Sequence, residues 1–132
     1  MALKHPNAAI ARRLWDAAAR GDPDPVLELY APHAVLRAHG DNPLAGEYKG
    51  GAGVLEYLIR AGEMVDDLRA SLLDIYASDD GAVTRYRTTA TRGAKRLDMV
   101  FLIVQRMERG RVEEAEVIST DQKRNDAFWG VD

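Results

Sequence analysis

Residues 68–77 (LRASLLDIYA), 82–93 (AVTRYRTTATRG), 95–107 (KRLDMVFLIVQRM) and 111–120 (RVEEAEVIST) decide the fold. Between them stand Asp79-Asp80-Gly81, Arg92-Gly93-Ala94 and Glu108-Arg109-Gly110, short clusters of turn-forming residues. Runs of this kind, rich in β-branched and aromatic residues and separated by glycine turns, read as strands in hairpins. Joined end to end they make an antiparallel meander of four strands, each of about ten residues.

Upstream of the meander the hydrophobic period changes to that of helices. Residues 7–20, NAAIARRLWDAAAR, place Ile10, Leu14, Ala17 and Ala18 at helical spacing, with Asn7 as N-cap and Gly21 as the stop. Asp22-Pro23-Asp24-Pro25 then turns the chain into a short second helix, VLELYA, with Asp24 as its cap and Pro25 at its first position. Pro32 ends it. Residues 34–38, AVLRA, read as a short strand, followed by the turn-rich stretch LRAHGDNPLAGEYKG (36–50) with a tiny strand around 47–49. Residues 53–64, GVLEYLIRAGEM, form a third helix, and 124–132 a tail that Phe128 and Trp129 pin to the body.

Helices first, then a long curled meander, define an α+β chain with helices on one face of a curved sheet. The concave space left between the two layers is the expected place for a small ligand. A chain of 132 residues fits one domain, 1–132. It is 46% hydrophobic and 30% charged, the balance of an ordinary globule, and its net charge of −3 argues against a nucleic-acid partner. With no cysteine, disulfides, thiolate nucleophiles and Cys-based metal sites are excluded. The three histidines are never paired at i+3 or i+4, so no metal site is expected. No run reaches the roughly 18–20 apolar residues that span a bilayer, and Arg12 and Arg13 interrupt any signal-peptide core, so no membrane partner and a cytoplasmic location are expected.

Three segments in order, LWDAAARGDPDPVLELYAPHAVL, NPLAGEYKG with GVLEYL, and ERGRVEEAEVISTDQKRNDAFW, resemble the nuclear transport factor 2-like superfamily. Within it the chain is similar to SnoaL-like polyketide cyclases and ketosteroid isomerase relatives. The resemblance implies a cone of curved sheet covered by three helices with an open pocket, a homodimer through the outer sheet face, and chemistry without a cofactor. It does not carry one activity, because such a scaffold hosts enzymes and binding modules alike. The ketosteroid isomerase groups are missing: the base position falls on Ala38, the tyrosine on Leu14, and the acid near Phe101 or Leu102. The Asp–Arg–Asp set of limonene-epoxide hydrolases falls near Val83, Arg85 and Val117, where only the arginine is ionisable. For SnoaL-like cyclases the last-strand Asp falls near Asp121, and alternation places Ala115, Val117, Ser119 and Asp121 on one face, which the resemblance makes the cavity face.

Asp121 is therefore the candidate general base or acid, its alternative being a cap on the segment from Gln122 onward. His39 assists as a proton acceptor, or else bonds its own loop backbone. Tyr48 points its hydroxyl into the pocket, or packs its ring on the third helix. Arg37, Arg85 and Arg87 bind a carboxylate or lie on an outer sheet surface. Along the third meander strand Leu97, Met99, Phe101 and Ile103 face the cavity, so its wall is greasy. With Trp15, Leu36, Ala38, Asn42, Val117 and Ser119 completing the wall, the expected partner is a small polyketide-, terpenoid- or steroid-like molecule. Two functions remain open: acid/base cyclisation or isomerisation of such a molecule, and non-catalytic binding or assembly.

Overall fold

The structure, a computed structural model, describes residues 5–130. Helices α1 (Pro6–Arg20) and α2 (Asp24–Leu29) lead into strands β1 (Tyr30–Ala38) and β2 (Gly46–Lys49), followed by α3 (Gly50–Glu63). The meander is β3 (Asp67–Ser78), β4 (Gly81–Arg92), β5 (Lys95–Glu108) and β6 (Arg111–Ser119), and α4 (Gln122–Trp129) closes the described chain. The six strands form one curved mixed sheet in the order β2-β1-β6-β5-β4-β3, the α+β cone expected from the sequence. Its single parallel pair is β1 with β6; the other neighbours are antiparallel.

The hairpin turns behave as their residues dictate. Arg109 and Gly110 both adopt positive φ (51° and 78°), the twist that joins β5 to β6 through two residues. At the other end of the chain, His5 rather than Asn7 caps α1, its Nδ1 accepting the Asn7 backbone N–H at 3.1 Å, while Pro6 takes the first helical position. The Asn7 side chain instead donates to the Ser78 carbonyl at 2.9 Å and ties α1 to the β3–β4 turn. Gly21 ends α1 in the left-handed conformation, as its position required.

Three boundaries moved for tertiary reasons. Strand β1 begins at Tyr30, because Tyr30 and Ala31 are buried and Tyr30 already pairs with Val112 of β6. Helix α3 begins at Gly50, three residues earlier than helix propensity allows. A Cβ on Gly51 would meet the Val26 carbonyl oxygen at 2.6 Å, so glycine is what lets α3 pack its first turn directly on α2. The supposed tail is helix α4, with Asn125, Phe128 and Trp129 buried and Asp121 as its N-cap. Lys95 and Arg92 anchor it from the β4–β5 turn by donating to the carbonyls of Ala127 and Phe128 at 3.0 Å each.

Candidate functional site

A cavity of about 390 Å³ lies between the concave sheet face and the helices. Strand alternation builds its sheet wall. Leu36 and Ala38 come from β1, Thr84, Tyr86 and Thr88 from β4, Phe101, Ile103 and Gln105 from β5, and Val117 and Ser119 from β6. Register sets the contacts between strands: Tyr86 pairs with Phe101 and their rings stack at 5.6 Å, 18° between planes, while Ile103 lies between Thr84 and Val117. From α1, Trp15 closes on the same ladder with its ring 5.3 Å from Tyr86. The lining residues that reach solvent are Ala18 and Ala19 at the end of α1, Leu58 on α3, Leu68 and Ala70 at the start of β3, and His39. They frame the mouth.

The opposite end is closed and carries buried polar groups. Gln105 is 4% exposed, and its Nε2 donates to the Tyr30 hydroxyl at 3.0 Å; its Oε1 has no hydrogen-bond partner among the described residues. Burial pushes the Tyr30 phenol up to about 12, partly offset by the bond from Gln105. Burial likewise raises Tyr57, with nearby Tyr48 adding to it, and holds Tyr86 well above the ordinary phenol value, with Tyr57 and Tyr30 close enough to add to it. At neutral pH these hydroxyls are protonated: hydrogen-bond donors in an apolar chamber, unable to serve as bases.

The rim is different. Asn42 Oδ1 accepts the backbone N–H groups of Leu44 (2.9 Å) and Ala45 (3.0 Å), while its Nδ2 donates to Asp126 Oδ1 at 2.7 Å. Gln122 Nε2 donates to the same oxygen at 2.9 Å and to the His39 carbonyl at 3.2 Å. Burial opposes the Asp126 charge, but the bonds from Asn42, the Asp41 backbone and Gln122 hold its carboxyl below the usual range. The loop after β1 is thus bound to α4. Gly40, at φ 119°, permits this close approach, since a side chain there would run into Asp126 and Gln122.

Of the residues expected to line the pocket, Trp15, Leu36, Ala38 and Asn42 do so, as do Phe101, Ile103, Val117 and Ser119. Met99 does not: it is buried in the core and is not part of the cavity wall. Asp121 is outside the cavity. Strand β6 ends at Ser119, the Thr120 hydroxyl donates to the Val100 carbonyl, and Asp121 is exposed with Oδ1 accepting the Arg124 N–H at 3.1 Å. Alternation cannot be extended through a residue that has left the strand, and the capping role is the one observed.

Tyr48 also turns away. Its hydroxyl donates to the Leu44 carbonyl at 2.7 Å and accepts from Arg60 at 3.2 Å, and its ring packs edge-on to Tyr57 of α3 at 5.2 Å. His39 is at the mouth, half-exposed, with Nε2 2.7 Å from Glu116 Oε2. Arg85 and Arg87 pair with Asp74 (3.3 Å) and Asp98 (2.6 Å) on the outer sheet face, and Arg37 pairs with Glu47 at 3.1 Å. At the closed end Tyr30 is core and pocket wall, as its position inside an element implies, while Gln105 and Thr84 are lining residues the sequence reading does not single out. The signal was present: counting inward by two from Phe101 through Ile103 reaches Gln105, a polar residue in an apolar run. Among the described residues no group of acidic or histidine side chains is arranged to hold a metal ion, and no helix is long and apolar enough to cross a membrane.

A curved six-stranded sheet, helices over its concave face and a cavity between them define a protein of the nuclear transport factor 2-like class. More narrowly, the chain belongs to the SnoaL-like domain family, which matches residues 11–115. It is 29% identical over 122 residues to the uncharacterized protein Rv0034 of Mycobacterium tuberculosis, covering 91% of this chain and 93% of that one. Among solved structures it is similar to Bal32a, from a soil-derived mobile gene cassette: 33% identity, TM-score 0.86, covering 94% of this chain and 96% of the other. A nuclear transport factor 2-like protein of unknown function from Burkholderia pseudomallei K96243 shares the fold at 20% identity and TM-score 0.82, over 97% of this chain and 100% of its own.

Proposed function

We propose that the protein binds a small, neutral, lipophilic molecule in the cavity and does not transform it there. The observation that carries this is the lining. It is apolar and aromatic, and its inner polar groups are amides, hydroxyls and phenols that do not titrate near neutral pH. An acid/base cyclase or isomerase needs a group able to exchange a proton at the reacting carbon. Asp121 faces solvent and caps α4, so it does not supply that group. A volume of about 390 Å³ falls in the usual range for small-molecule sites.

A second reading rests on His39. Hydrogen-bonded to Glu116 at the mouth, it is oriented to take a proton from a ligand whose acidic end stays at the rim. His39→Ala separates the two readings. Binding of a neutral polycyclic probe, followed by calorimetry, is unchanged if the protein is a binder. Deuterium exchange from an acidic carbon of such a probe, if the wild type promotes it and the variant does not, supports the second.

The outer sheet face exposes Tyr76, Val104 and Ile118 among its ion pairs, and we extend the proposal to a homodimer through this face. Val104→Asp should then shift the sedimentation coefficient from dimer to monomer; a wild type that sediments as a monomer removes the proposal.

A further inference from the structure

Helix α4 contributes Asn125 and Trp129 to the cavity wall, two residues one helical turn apart on the same face. Both are buried, and they are joined: the Trp129 indole N–H donates to Asn125 Oδ1 at 3.0 Å. An indole nitrogen can only donate, so it fixes which way round the amide stands, oxygen toward Trp129 and Nδ2 away from it. Nδ2 has no hydrogen-bond partner among the described residues, yet it is not sealed inside the protein. Asn125 is 9% exposed and lines the cavity, so the space that reaches Nδ2 is the cavity. A buried donor left without an acceptor costs stability, and a ligand that supplies one recovers it.

The rest of the wall indicates which polar group that ligand carries. Its other side-chain amide oxygens are unavailable: Asn42 Oδ1 accepts from Leu44 and Ala45, and Gln105 Oε1 is sealed within the wall. Tyr57 and Tyr86, kept protonated by burial, add hydroxyl donors to the same wall. Free polar capacity is therefore weighted toward donation. An oxygen with lone pairs and no proton of its own suits such a wall, whereas a hydrocarbon leaves Nδ2 unpaired. A carboxylate also accepts, but no Lys or Arg lines the cavity, and burying its charge costs more than one amide returns.

The geometry points to Asn125 as the specificity-determining residue of the cavity: its Nδ2 donates a hydrogen bond to a carbonyl oxygen of a neutral, ring-containing ligand. Trp129 is the positioning residue, because its N–H holds the amide in the orientation that offers a donor. This rests on the binding reading above and deepens it by naming the ligand's functional group and the side of the cavity, α4, toward which that group turns.

The test uses the intact chain and two flat probes of nearly the same shape, 2-acetylnaphthalene and 2-isopropenylnaphthalene, in which C=CH2 replaces C=O. Titration calorimetry gives the affinity of each, and their ratio is compared between proteins so that the probes' own hydration cancels. Asn125→Leu and the smaller Asn125→Ala, each checked for folding by near-ultraviolet circular dichroism, should lower the ketone-to-alkene ratio by about fivefold or more. Trp129→Phe keeps a ring on α4 but lets the amide turn, and should lower the ratio by a smaller factor; a role in packing alone would weaken both probes equally. A ratio within about twofold of the wild type in the Asn125 variants overturns the assignment and leaves the cavity as a lipophilic site. Should those variants fail to fold, Trp129→Phe carries the test, and an unchanged ratio there overturns the assignment too. Binding of neither probe by the wild type overturns the binding reading, and the assignment with it.

Discussion

The two ends of the cavity treat polar groups in opposite ways. At the rim, Asn42, Gln122 and Asp126 use their polar atoms on one another and on the backbone, and the loop after β1 is held to α4. At the closed end, the Gln105 Oε1 is buried without a hydrogen-bond partner among the described residues. A network that is complete serves stability; one that is incomplete costs it. The rim is thus architecture, although rim residues are the ones whose polarity first draws attention in the sequence.

Substitutions should break or sharpen this contrast. The largest effect is expected from Trp129→Ala, which removes a buried ring from under α4 and costs about 3–5 kcal/mol by urea unfolding. Asn42→Ala should cost about 1–2 kcal/mol, because it strips two backbone N–H groups and Asp126 of a partner. Gln105→Leu, at an amide buried more deeply than Asn42, should change stability by less than about 1 kcal/mol, since one of its two polar atoms was never satisfied. A loss comparable with that of Asn42→Ala would erase the distinction between the two ends.

The pH dependence gives a further handle at both ends. Asp126 is depressed in the fold, so its contribution is present above its ordinary value of 3.8 and lost as pH falls through its lower folded value. In Asp126→Asn that part of the acid-side slope should vanish from a series of denaturant melts. Tyr30, Tyr57 and Tyr86 are raised, so their contribution is complete below 10 and is lost as pH climbs; for Tyr30 the window is from 10 to about 12. Phenolate absorbance should show these three ionising only with unfolding, and ionisation in the folded state would mean the chamber is wetter than its lining implies.

Much of this molecule was legible in the chain because its signals are local. Alternation and glycine turns specify the meander, and the same alternation places Phe101, Ile103 and Val117 on the inner wall. What was not legible depends on contacts between distant segments. Helix α4 is mostly polar, and its identity as a helix rests on Phe128 and Trp129 finding the sheet and on Arg92 and Lys95 reaching its carbonyls. Once α4 forms, Asp121 becomes its cap, so one helix displaces the expected catalytic residue. Gly51 reads as loop because its use, close approach to Val26 and Leu27 of α2, depends on partners more than 20 residues away. Gln105 was readable from parity alone, and was passed over because a single amide in an apolar run carries no chemical motif.

The account stands on the cavity as the place where a neutral lipophilic molecule binds, and a crystal structure of the protein with a ring probe such as 2-naphthol tests that directly. The ring should lie inside the cavity, against the apolar wall that includes Trp15, Tyr86 and Phe101. A naphthol held outside the cavity, or not bound at all, would contradict it.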